Sequence, residues 1–319
     1  MKAKKVLSLF IMGALIGALT ACGSQAAATE EAADEAEEAV EEAAEEEAVE
    51  TLDADAGSDE EAAEEETAED VPTESKELIV FAAASMTETL EEIEKIYEAA
   101  NPGIDIIYNL DSSGTLKTQI EEGADCDIFI SAAQKQMNQL DIESDEENNP
   151  DRLDYVASET RINLLENKVA LVVAPGSTKG IDSFDALAQH LKDGDILMSM
   201  GNEDVPVGQY TQKILAYYEL SEEELANAGV LTYGTNVKDV TTQVSQSSVD
   251  CGVVYATDAF SAGLDIIDTA TAEMCGQVIY PAAVLKVSKY PAEAQAFLDY
   301  LTTDEAMAVF EAVGFSPVE

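Results

Sequence analysis

The chain has 319 residues, with 66 Asp and Glu against 16 Lys and Arg, and a formal net charge of −50. Such an acid excess excludes nucleic acid as a partner, because a phosphate backbone calls for a basic surface and no Lys/Arg cluster occurs beyond the first five residues. Four cysteines without a CxxC pair, and a single histidine, His190, argue equally against a zinc centre.

The charge is not evenly spread. Lys2, Lys4 and Lys5 open the chain, and the apolar run Val6 to Leu19 follows, ending in the small residues Ala21, Cys22 and Gly23. That is the layout of a secretory signal, and the run is too short for a membrane span of about 20 apolar residues. Leu19-Thr20-Ala21-Cys22-Gly23 resembles the lipobox of bacterial lipoproteins. The resemblance implies a signal peptide over 1–21, removal of which leaves Cys22 as a lipidated N-terminus anchored to the outer face of the cell membrane. Residues 23–75 then hold 23 acids, no base and no aromatic side chain. So little apolar surface cannot offset the entropy of ordering, so 22–76 reads as a lipidated cysteine and a disordered acidic tether.

From Glu77 the pattern changes to short apolar runs alternating with amphipathic ones. Strands are predicted over 78–84, 104–110 and 126–131, with helices over 86–100 and 115–122 between them. Asn101-Pro102-Gly103 ends the first helix, since a proline disfavours helical geometry in the residue before it. A second set follows: strands at 168–174, 196–200, 230–233 and 252–256, and helices over 183–191, 208–218 and 237–247. The chain closes with a strand near 283–287 and helices over 292–301 and 304–312. Parallel strands with helical crossovers are the expectation, in an α/β chain of two lobes with a ligand cleft between them. The first lobe is expected from 77–165 plus 281–319, and the second from 166–280. Cys126, Cys251 and Cys275 are an odd set, and the strand-like runs around Cys126 and Cys251 mark those two as small buried hydrophobes.

Ligands of open α/β sheets bind beyond the carboxyl ends of the strands. There this sequence repeats one theme: Ser85 and Thr87, Asp111-Ser112-Ser113-Gly114-Thr115, Val205-Pro206-Val207-Gly208 and Thr235-Asn236-Val237 all stand at predicted helix starts. Free backbone N–H groups and the helix dipole favour an anion at such places. Each alone is an ordinary cap; their convergence across two lobes is the signal.

Phe81-Ala82-Ala83-Ala84-Ser85-Met86-Thr87, Ser112-Ser113-Gly114-Thr115-Leu116, Asp127-Ile128-Phe129-Ile130-Ser131-Ala132, Val205-Pro206-Val207-Gly208-Gln209-Tyr210 and Gly252-Val253-Val254-Tyr255-Ala256-Thr257-Asp258-Ala259, with Tyr280-Pro281 and Gly314-Phe315, resemble in order the motifs of periplasmic molybdate-binding proteins. These are the substrate-binding components of molybdate ABC transporters. The resemblance implies a type II-like periplasmic-binding-protein fold, with each lobe a mostly parallel sheet flanked by helices. It implies molybdate or tungstate as cargo, the only sense in which a metal is bound, and no cofactor or catalytic residue. ABC permease and ATPase subunits would be the partners of a monomer. Carried over by motif, Ser85 and Ser113 would donate through hydroxyl and backbone, Val207 and Val237 through backbone N–H, and Tyr255 through its phenol. Val207 stands where the family usually has alanine, which keeps the backbone donor.

Three other readings compete. An extracytoplasmic enzyme would need Ser85 or Ser113 to meet His190, which lies in a helical stretch with an acid-rich exposed side. A ferric-iron receptor would use phenols such as Tyr210, Tyr217 and Tyr218, whose spacing reads more simply as helix core and surface. A sulfate receptor would use the same neutral donors as molybdate.

Overall fold

The computed structural model describes residues 75–318, so the expected signal peptide, Cys22 and the tether as far as residue 74 lie outside the described residues. The tether's expected last residue, Lys76, instead opens the first strand, β1 (Lys76–Ala83), because its backbone pairs with Ile104 on the next strand. β2 (Ile104–Asp111) and β3 (Ile128–Ile130) flank β1 in parallel, which explains why Leu78, Val80 and Ala82 are all fully buried. Between these strands come a single 3-10 turn (Ala84–Met86), α1 (Thr87–Ala100) and α2 (Ser113–Glu121). Leu90, Ile93 and Tyr97 form the buried face of α1, and its end is closed by the Asn101 amide donating to the Tyr97 carbonyl at 2.9 Å. After α3 (Gln134–Leu140), β4 (Ile162–Asn167) joins the same sheet.

Only Lys168 separates β4 from β5 (Val169–Val173), which belongs to a second sheet. That sheet grows through α4 (Phe184–Asp193), β6 (Met198–Gly201), α5 (Pro206–Tyr217), α6 (Glu222–Asn227), β7 (Leu231–Gly234) and α7 (Val237–Ser245). It ends with β8 (Cys251–Tyr255), α8 (Ala256–Ser261), β9 (Ile266–Thr269) and α9 (Ala272–Cys275). The chain then returns to the first sheet as β10 (Val278–Val284), α10 (Pro291–Tyr300), α11 (Asp304–Ala312) and β11 (Ser316–Pro317).

The strand orders are β11-β4-β10-β3-β1-β2 and β7-β6-β8-β5-β9. Two α/β lobes are therefore present, but both sheets are mixed rather than mostly parallel. The strands that carry the chain between lobes pair antiparallel: β10 with β3 and β4, and β5 with β8 and β9. The βαβ periodicity of the sequence reports only the parallel halves. In sheet terms the crossings fall at Lys168 and between Cys275 and Val278.

An aromatic row fills the seam between the sheets. Tyr210, Tyr255, Tyr280 and Phe315 meet edge to face, with centroids 6.3, 5.8 and 5.2 Å apart. Cys126, Cys251 and Cys275 are all buried and unbridged, and burial pushes each thiol up, as expected of inert core residues.

Candidate functional site

Six chain segments converge where the two sheets face each other. Ser85 sits in the 3-10 turn directly after β1, Ser113 is the first residue of α2, and Ala132 follows β3. From the other lobe come Val207, the second residue of α5, Val237, the first residue of α7, and Tyr255, the last residue of β8. These residues line one small cavity, with about 10 Å³ of space open to a water-sized sphere. All five positions expected from the sequence, Ser85, Ser113, Val207, Val237 and Tyr255, are thereby brought together, each no more than 5% exposed.

Local sequence explains the aim of each donor. The Ser112 hydroxyl caps α2 by accepting the Thr115 N–H at 3.1 Å, which leaves the neighbouring Ser113 facing the cavity. Asn236 caps α7 by accepting the Asp239 N–H at 3.0 Å. α5 has no side-chain cap but starts on Pro206, whose missing N–H suits a first helical position. In each case the first-turn N–H groups lack intrahelical acceptors and point out of the helix end. α5 can approach closely because residue 208 is glycine: a Cβ there would stand 2.3 Å from the Gly201 carbonyl oxygen.

No lining residue is cationic, and Asp111 is the one charged group on the wall. Asp111 opens the polar run expected at the start of α2, but nothing in that run marks its carboxylate as part of the wall. Its carboxylate accepts the Ser112 N–H at 2.7 Å and, across the seam, the Asn236 amide at 3.5 Å. Three more bonds span the lobes. The Gly114 N–H donates to the Asp204 carbonyl at 3.1 Å, the Tyr255 hydroxyl to the Ala132 carbonyl at 3.4 Å, and the Lys238 ammonium to the Glu88 carboxylate at 2.7 Å. Lys238 also lies 3.3 Å from Asp258, a fully buried side chain for which this ammonium is the one close polar side-chain partner among the described residues. Burial pushes Asp258 up to about 7, against the opposing pull of Lys238. Burial likewise raises the Tyr255 and Tyr280 phenols well above their ordinary range, so both remain neutral donors.

Among the described residues the enzyme and ferric-iron sites are not assembled, whereas the sulfate reading shares the donors of this cavity. His190 is bonded to Asp195 at 2.9 Å and does not line the cavity with Ser85 and Ser113. Tyr218 is bonded to Asp185, and Tyr217 is an exposed helix residue. Tyr280, quoted above only as part of a motif, is the other residue whose role the sequence hid: it is fully buried behind Ser85, with the two hydroxyl oxygens 2.8 Å apart.

Two α/β lobes enclosing a buried, donor-lined cavity are the architecture of a solute receptor. The chain belongs to the bacterial extracellular solute-binding protein family, whose pattern matches residues 78–316. It is 36% identical over 241 residues to a Bacillus subtilis protein named as an ABC transporter substrate-binding lipoprotein, YvgL, covering 75% of this chain and 86% of that one. It is 32% identical over 248 residues to the molybdate-binding protein ModA of Haemophilus influenzae, covering 76% and 91%. The periplasmic molybdate-binding protein of Azotobacter vinelandii shares the fold, with a TM-score of 0.63 at 20% identity over 76% of this chain and all of that one.

Proposed function

We propose that this protein captures a fully ionised tetrahedral oxyanion, molybdate or tungstate, between its lobes and hands it to the permease and ATPase of an ABC importer. The observation that carries this reading is the cavity itself. Ser85, Ser113 and Tyr255 hydroxyls and the α2, α5 and α7 N-termini surround one small space without a cation. Neutral donors and helix ends can hold a buried dianion when each of its oxygens is bonded, and no lysine or arginine is then required.

In this reading Ser85 and Ser113 grip the anion from the first lobe, Val207 and Val237 from the second through their N–H groups, and the Tyr255 phenol closes over it. By sheet membership the first lobe runs on to Asn167 and resumes at Val278, two and three residues beyond the expected bounds of 77–165 with 281–319 and 166–280. Signal peptide 1–21, a lipid on Cys22 and the acidic tether would hold a monomeric receptor at the outer face of the membrane, with Cys22 supplying the anchor. Binding draws the lobes together, a hinge motion that a transporter can read.

The test is a calorimetric panel on the purified chain. Molybdate and tungstate are expected to bind at micromolar concentration or below, and sulfate and phosphate far more weakly. Equal response to sulfate would overturn the molybdate assignment, and silence toward every oxyanion would overturn the receptor reading.

A further inference from the structure

Three side chains behind the cavity form a hydrogen-bonded series whose direction is fixed at one end. The Asn167 side-chain oxygen accepts the Lys168 N–H at 2.8 Å, and a backbone N–H can only donate. The Asn167 amide is thereby oriented with its NH₂ inward, where it donates to the Thr257 hydroxyl at 2.9 Å and the Tyr280 hydroxyl at 3.2 Å. The Tyr280 and Ser85 hydroxyl oxygens are 2.8 Å apart and either can donate; with one acceptor position of Tyr280 taken by Asn167, its own proton is free to go to Ser85. In that arrangement the Ser85 proton is left for the cavity that it lines. All three residues are at least 95% buried, so water does not compete with the series. Ser113 is set in the same way, because its hydroxyl oxygen accepts the Ala132 N–H at 2.9 Å.

We propose that Asn167 and Tyr280 are positioning residues that lock Ser85 as a donor, so that the cavity selects an oxyanion carrying no proton of its own. Geometry behind the site thus sets specificity as well as affinity. At Ser85, an anion with an O–H, such as hydrogen phosphate, would place that proton against a hydroxyl already committed to donating, while the Asp111 carboxylate on the wall is held by the Ser112 N–H and the Asn236 amide. A polar site rejects a mismatched ligand strongly because both groups are left unpaired in a dry space. The proposal rests on the oxyanion-receptor reading of the same cavity.

Two variants of the full chain separate the ideas. Tyr280→Phe removes the proton given to Ser85 while keeping the ring in its aromatic row. Asn167→Asp keeps the shape but replaces the NH₂ by an acceptor, which reverses the series: Tyr280 turns toward residue 167 and Ser85 toward Tyr280. Dissociation constants for molybdate and for phosphate are measured at pH 8, the latter by competition, together with ligand-free melting temperatures. The molybdate-to-phosphate preference is expected to fall about tenfold in Tyr280→Phe and further in Asn167→Asp, with molybdate affinity falling in both. If both variants only melt earlier and keep the wild-type preference, the two residues are merely structural and the proposal is overturned. If Asn167→Asp does not fold, Tyr280→Phe alone decides. Failure of the wild-type chain to bind molybdate overturns the receptor reading and this proposal with it, whereas wild-type binding with unchanged variants overturns this proposal alone.

Discussion

Adjacent serines at the start of α2 divide two tasks that one residue could not perform together. Ser112 spends its hydroxyl on the Thr115 N–H, whereas Ser113 accepts from Ala132 and faces the cavity. Ser112→Ala is expected to lower stability by about 1 kcal/mol with a small change in molybdate affinity. Ser113→Ala is expected to weaken molybdate binding at least tenfold, since a buried anion oxygen loses a bond from a neutral donor. Calorimetry and thermal melts on both variants check the division, and equal affinity losses would refute it. Sequence marks both serines as cap material, so the motif resemblance was needed to single out the second. Tyr280 was hidden for a different reason: a buried phenol in an apolar strand looks like core until its partner, 195 positions away, is known. Asp258 offers a pH test at the same scale. Its carboxyl is pushed up to about 7 by burial, so the folded state holds this proton more tightly than the unfolded chain. Stability from this group is therefore lost as pH rises from the ordinary carboxyl range to about 7. Asp258→Asn should gain on the wild type between pH 5 and pH 8, read as a melting-temperature difference that grows with pH; a constant difference would count against it.

Among the elements, those with a strong local signal lie close to where the sequence puts them. Apolar β1 and β8, the Ser183-capped α4 and the Asn236-capped α7 are examples. Elements such as β4, β9 and α3 carry no such signal. β4 is Ile162-Asn163-Leu164-Leu165-Glu166-Asn167, and its polar positions are tolerated because β10 and β11 pair with it from either side. Its pairing was invisible because β10 lies more than a hundred residues further on. Close approach between elements was equally illegible. A glycine in a helix start reads as a cap, yet a Cβ on Gly114 would stand 2.2 Å from the Asp204 carbonyl oxygen of the opposite lobe. Gly114→Ala is expected to leave melting nearly unchanged but to weaken molybdate binding at least tenfold, because it wedges the lobes apart at the α2 N-terminus. An equally large drop in ligand-free melting temperature would show instead that α2 itself is disturbed.

For the molecule as a whole, the charge of −50 separates into a part outside the described residues and a folded part that is itself strongly acidic, with 43 acids against 13 bases over 76–319. A dianion approaching such a surface is repelled at long range, so under the proposed function its capture would rely on short bonds in the cavity. Added salt screens the repulsion over a Debye length of about 10 Å at 0.1 M. Molybdate association, followed by stopped-flow tyrosine fluorescence, should accelerate several-fold between 10 and 200 mM NaCl with dissociation little changed; a slower on-rate at high salt would overturn this account. Lys238 answers this acid excess on both sides, pairing with Glu88 across the seam and lying 3.3 Å from Asp258 within its own lobe.

The path of the chain through the two sheets bears on how the molecule is made. It leaves the first sheet at Asn167 and returns at Val278, and those two residues are direct neighbours on β4 and β10. The whole second sheet, from β5 to β9, is thus an insertion between paired strands, and β10 stands in the middle of the first sheet. Local pairings form before distant ones when a chain folds. The inserted lobe, complete in one stretch, can therefore organise first, whereas the lobe that opens the fold must wait with β3 unpaired on one edge until β10, in the last sixth of the described chain, arrives. During export the vulnerable species is the half-finished first lobe, and a truncation after β9 would expose its open edge to other chains.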